Sequence, residues 1–77
     1  MKDNLFDTSN LFIASYLLAK GKIIKGKKQN RNLTSVLFDK KEECEKLELD
    51  YFNGGTIEAN KFAESYLTLR KMVRREE

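Results

Sequence analysis

With 77 residues, 40% of them hydrophobic and 35% charged, the chain has the balance of one small folded domain and argues against disorder. A single cysteine and no histidine exclude an internal disulfide and leave too few ligands for a zinc site. The formal charge of +3 is unevenly spread: Lys20 to Phe38 holds six basic residues (Lys20, Lys22, Lys25, Lys27, Lys28 and Arg31) and no acidic one, so the rest of the chain is net acidic.

In chain order, residues 1–7 read as a flexible leader and residues 8–75 as a single α+β domain. Thr8 or Ser9 can cap a first helix by accepting from its unpaired amides. Leu11, Ala14, Leu17 and Leu18 follow at helical spacing, with Phe12, Ile13 and Tyr16 widening the apolar face. Gly21 ends the helix, since glycine takes the left-handed C′ conformation at little cost. The stretch Leu11 to Ala19 is too short to span a bilayer, and its polar, acidic front end does not suit a secretory signal, so a cytoplasmic protein is expected.

A β-hairpin comes next. Lys22 to Lys28 reads as its first strand, Gln29 to Asn32 as the turn, with Asn30 tolerating positive φ, and Leu33 to Phe38 as the second strand. Alternation places Val36 and Phe38 inward. The first strand is lysine-rich, which suits an exposed edge, and Gly26 leaves room for a bulge.

Asp39-Lys40-Lys41-Glu42 then has the pattern of a capping box opening a second helix. Cys44, Leu47 and Tyr51 form its apolar stripe, with Phe52 beside it, and Cys44 reads as a small core residue. Asn53-Gly54-Gly55 stops it. A third helix carries Ala59, Phe62, Ala63, Tyr66, Leu69 and Val73 as its stripe, and Arg70, Lys71, Arg74 and Arg75 suit its C-terminal dipole. The expected order is α-β-β-α-α, a two-stranded antiparallel hairpin packed with three helices. Its core is expected from Leu11, Ala14, Leu17, Leu18, Val36, Phe38, Leu47, Tyr51, Phe62, Tyr66 and Leu69.

Catalytic chemistry finds no foothold. Gly21-Lys22-Ile23-Ile24-Lys25-Gly26-Lys27-Lys28 has the glycine and lysine spacing of a phosphate-cradling loop. It places Lys28 where a Mg²⁺-binding hydroxyl belongs, and it runs from helix to strand instead of strand to helix. The dense carboxylates Glu42, Glu43, Glu45, Glu48 and Asp50 interleave with Lys40, Lys41 and Lys46, as on a solvated helix face. Without histidine the chain lacks the side chain that titrates most readily near neutral pH. No serine has a neighbouring base. A non-enzymatic binding module is expected, with no cofactor, no metal, no small-molecule substrate and no membrane.

Two kinds of partner suit such a module. Lys22, Lys25, Lys27, Lys28 and Arg31 can contact the phosphates of a nucleic acid with little reading of bases, since only one is an arginine, extended by Arg70, Lys71, Arg74 and Arg75 and partly offset by Glu76 and Glu77. No aromatic stands among the hairpin lysines before Phe38, which speaks against a stacking platform for single strands. The alternative is a protein-interaction or self-associating module, through surplus aromatics (Phe12, Tyr16, Tyr51, Phe52, Tyr66) or the edge strand Lys22 to Lys28. Charge also allows head-to-tail pairing of the acidic helix Glu42 to Asp50 with the basic hairpin.

Thr8-Ser9-Asn10-Leu11 with Ala14, Leu17 and Ala19-Lys20-Gly21, then Val36-Leu37-Phe38-Asp39, Tyr51-Phe52-Asn53-Gly54 and Ala59 with Phe62, resembles a family of short bacterial and phage proteins. That family is catalogued only as a domain of unknown function, and the likeness runs from Phe6 to Val73. It implies a fold and an association with phages and mobile elements, and it supplies no site residues. The family pattern carries acidic residues near Asn10 and Glu58; Asn10 departs from it, with consequences for helix capping.

Overall fold

Phe6–Thr8 forms a strand, β1, where the sequence predicts part of a flexible leader. The sheet therefore has three strands instead of two. The computed structural model describes residues 5–73, so residues 1–4 of that leader and residues 74–77 lie outside the described residues. After β1 come α1 (Leu11–Ala19), β2 (Ile24–Asn30), β3 (Leu33–Phe38), α2 (Lys41–Phe52) and α3 (Ala59–Val73). The sheet is antiparallel throughout, with β3 in the middle: β1 pairs Phe6 with Phe38 and Thr8 with Val36, and β2 pairs on its other side. Phe6 and Thr8 are buried and Asp7 is exposed, an alternation too short to stand out in sequence. Pairing with β3 creates this strand, and that contact spans some thirty residues of chain.

The hairpin extends further than its sequence indicates. Pairing continues to Asn30 opposite Leu33, so the turn shrinks to Arg31 and Asn32. The positive φ (58°) falls on Arg31, not on Asn30. A two-residue loop requires this at its first position, to match the twist of the strands. At the other end, Ile24 faces Phe38 and Gly26 faces Leu37, so Lys25 is the extra residue of a bulge. Lys22 and Ile23 precede the strand, and the Asp39 amide donates to the Ile23 carbonyl (3.0 Å).

The three helices lie against the face carrying Val36 and Phe38, both fully buried as expected. α1 packs on both α2 and α3, α2 reaches β1, and α3 reaches β3. Phe6, Ile13, Ala14, Leu17, Val36, Phe38, Cys44 and Leu69 make the core, with Leu11, Leu18, Leu47 and Tyr51 packed partly buried against it. Each large side chain fully buried there contributes about 1.5–3 kcal/mol. Phe62 and Tyr66 are only half-buried. On α3 the inward stripe is rotated from the predicted one: Ser65 is buried, whereas Ala59 and Ala63 are exposed.

The helix ends show two corrections. Asn10, not Thr8 or Ser9, caps α1: its side chain accepts from the amides of Phe12 (2.9 Å) and Ile13 (3.2 Å). Thr8 is committed to β1, and its hydroxyl accepts from the Asn10 amide. α2 begins without the predicted capping box. Lys40 takes a left-handed conformation (φ 57°) at the N-cap and makes no side-chain cap, while the Asp39 carboxylate accepts from the Lys40 amide. The end of α1 follows expectation: Gly21 (φ 96°) lets the Lys22 amide reach the Leu17 carbonyl and the Gly21 amide reach that of Leu18.

Polar contacts at Asp50 join α1, α2 and the loop that follows α2. Tyr16, fully buried on α1, donates its hydroxyl to Asp50 of α2 (2.5 Å), and Gly55 of the following loop donates its amide to the Asp50 carbonyl (2.8 Å). The hydrogen bond favours the neutral hydroxyl, and with burial and the carboxylate charge it pushes the Tyr16 pKa up to about 12.

Candidate nucleic-acid interface

The five basic residues singled out in the hairpin do not share one environment. Lys22 lies between α1 and β2, with a mostly buried side chain ion-paired to Glu43 of α2. That hydrogen bond holds the Lys22 ammonium above its usual range and the Glu43 carboxyl below its own. Lys22 is thus turned toward α2 and occupied there. Lys28 projects from the outer sheet face, where its ammonium meets the Asp7 carboxylate at 3.1 Å. Both partners are well exposed, so the pair is weak and open to exchange.

Lys27 faces the other way. It lies opposite Val36 at the rim of the core face, and its ammonium donates to the Met72 carbonyl in the last turn of α3 (2.6 Å). A carbonyl is neutral, so the lysine keeps its full charge while tying β2 to the end of the helix. A cation there also suits the helix dipole. Lys25, at the bulge, and Arg31, at the turn, are exposed, and among the described residues neither has an ionic partner.

The contact from Lys27 to Met72 brings together two basic clusters that are far apart in the chain. Arg70 and Lys71, both exposed, occupy the same final turn of α3 as Met72. Arg74 and Arg75, the rest of the predicted extension, lie outside the described residues. The structure thus spreads Lys25, Lys27, Lys28 and Arg31 along the hairpin, with Lys27 and Lys28 on opposite faces and Lys27 tied to the turn of α3 that carries Arg70 and Lys71, and it sets Lys22 apart. Sequence reasoning could not anticipate that split, since the partners of Lys22, Lys27 and Lys28 are all distant in the chain.

Elsewhere the surface is sparse in chemistry. Cys44 is buried, its thiol donating to the Asp39 carbonyl (3.3 Å), and burial pushes its pKa up. No group of three or more acidic or cysteine side chains among the described residues is arranged to hold a metal ion. No helix among them is long and apolar enough to cross a membrane.

These features define a small α+β domain with a basic hairpin edge. A family model described as "Domain of unknown function (DUF5659)" matches residues 3–75, and the chain belongs to that family. No curated protein and no solved structure matches the chain.

Proposed function

We propose that the domain is a non-enzymatic binding module that holds the phosphate backbone of a nucleic acid along β2 and the last turn of α3. The observation that carries this reading is the contact from Lys27 to Met72, which ties the hairpin to the turn of α3 that carries Arg70 and Lys71. Lys25, Lys27, Lys28 and Arg31 on the hairpin, joined by Arg70 and Lys71 on α3, are the phosphate contacts; Lys22, paired with Glu43, is not among them. The phage and mobile-element setting implied by the resemblance accords with such a partner.

The test is an anisotropy titration with mixed-sequence single- and double-stranded DNA and RNA at several salt concentrations. Four to six phosphate contacts give a log–log salt slope of about −3.6 to −5.4 on duplex DNA and about −2.8 to −4.2 on single strands. Lys25→Glu with Arg31→Glu removes binding and leaves the fold intact. Asp7→Asn releases Lys28 and tightens binding a few-fold. No binding at low salt, or no effect of the double reversal, overturns the proposal.

A second reading rests on the outer face of α2. Leu49 and Phe52 are 62% and 65% exposed, in line with Glu42 and Glu45 at helical spacing. That acidic, apolar stripe complements the basic hairpin of a second copy, where Leu33 is exposed beside the turn. Sedimentation over a wide concentration range tests it, and a strict monomer overturns it.

A further inference from the structure

Away from the hairpin, Phe12 lies open to solvent while stacked on the half-buried Tyr66. Phe12, in the first turn of α1, is 52% exposed. Its ring lies parallel to that of Tyr66 on α3, with an interplanar angle of 8° and centroids 5.5 Å apart. The Arg70 guanidinium stands over the same Tyr66 ring at 6.0 Å. Two stacked rings with a cation beside them, one ring face still open to solvent, are the elements with which proteins hold an unpaired base.

Position links this stack to the basic surface. Tyr66 meets the start of α1, whereas Tyr16, further along α1, reaches Gly55 ahead of α3. The two helices therefore run antiparallel, with the start of α1 beside the later turns of α3. From Tyr66 to Met72 is six residues, or about 9 Å along the helix axis. Met72 is where Lys27 is anchored. Along the helix axis Arg70 lies between the two, its guanidinium held against a ring with N–H groups that can donate to a phosphate.

We infer that the nucleic acid is single-stranded: its backbone runs along Lys27, Arg70 and the hairpin while one unpaired base stacks on the open face of Phe12. This inference rests on the proposed function and adds the strandedness of its ligand. Duplex DNA, whose bases are already stacked on one another, gains nothing from Phe12. Stacking on one aromatic side chain tolerates any base, so preference among sequences is weak.

The test compares two fluorescein-labelled strands of equal length and charge, a ten-nucleotide oligothymidylate and a fully abasic sugar–phosphate of the same length. The parent protein binds the oligothymidylate on the order of tenfold more tightly. Phe12→Ala, and independently Phe12→Leu, bring that affinity down to the abasic value. Because the chain has no tryptophan, Phe12→Trp provides a single reporter, quenched by the oligothymidylate and not by the abasic strand. Equal binding of both strands by the parent, or a preference that survives in Phe12→Ala and Phe12→Leu, overturns the stacking inference and leaves the backbone reading standing. Failure of both strands to bind overturns both.

Discussion

Gly55→Ala is expected to cost about 3 kcal/mol. Gly55 has no unusual φ, so the cost is steric. A Cβ there would collide with the Tyr16 hydroxyl, lie 2.7 Å from a carboxylate oxygen of Asp50 and touch the Asp50 carbonyl at 3.0 Å. Asp50 is exposed and its carboxylate can swing away, but the Tyr16 ring is buried and packed edge-on against Tyr51. The hydroxyl therefore yields only by moving the ring or parting the loop from α2. Forcing a methyl into such a contact costs about 1–3 kcal/mol. Breaking a hydrogen bond to a charged partner adds about 1.5 kcal/mol, the lower end being apt because Asp50 faces solvent. For a domain of this size the total stability is about 4–12 kcal/mol, so the change removes a large share of it. The melting temperature falls by about 12–24 °C.

A mutant cycle tests the cause. Tyr16→Phe alone loses the hydrogen bond and costs about 1.5 kcal/mol. In the double variant the methyl meets no hydroxyl, so the combined cost falls short of the sum by at least about 1 kcal/mol, read from urea unfolding. Gly55→Ala within about 0.5 kcal/mol of the parent, or additivity within that margin, refutes the reasoning.

Asn10→Ala leaves the Phe12 and Ile13 amides without their cap and lowers stability by about 1 kcal/mol, measured by thermal melting. Arg31→Gly relieves the left-handed backbone at the turn, for a net gain of about 0.5 kcal/mol once the greater freedom of the unfolded chain is counted. Under the proposed function the same substitution weakens nucleic-acid binding, so stability and affinity are expected to move in opposite directions. Ultraviolet titration of the three tyrosines shows one phase near pH 12, absent from Tyr16→Phe. Because the folded pKa lies above the unfolded value near 10, the Tyr16 contribution is complete below pH 10 and disappears as pH rises toward about 12.

What could be read in the sequence was local. The alternation that buries Val36 and Phe38, the glycine stop at Gly21 and the bulge beside Gly26 depend on residues within a few positions of one another. Thr8, Ser9 and Asn10 can each cap a helix, and local chemistry does not choose among them. The choice falls to Asn10 because Thr8 pairs with Val36. Of the predicted α3 stripe, Leu69 is buried and Phe62, Tyr66 and Val73 are half-buried, whereas Ala59 and Ala63 lie outside it, since they carry little hydrophobic drive and a buried Ser65 gives no apolar signal. The basic cluster was legible as composition. Its division between Glu43, Asp7 and the end of α3 depends on contacts that exist only in the folded chain.

That division bears on how a basic edge strand can both protect and bind. An exposed strand such as β2 invites pairing with other chains, and lysines along it discourage this. Protection needs charge on the edge but not availability to a ligand, and Lys22, turned to Glu43, illustrates the difference. Lys27 does something else: by donating to a neutral carbonyl it fastens β2 to α3 without losing charge. If solubility were the only role of these lysines, a charge held at the rim of the core and beside Arg70 and Lys71 would be a poor arrangement. Like charges there repel one another and work against the contact that Lys27 makes. An anionic backbone laid across both elements would relieve that repulsion, so bound polyanion should stabilise the junction of hairpin and α3 more than the rest of the domain.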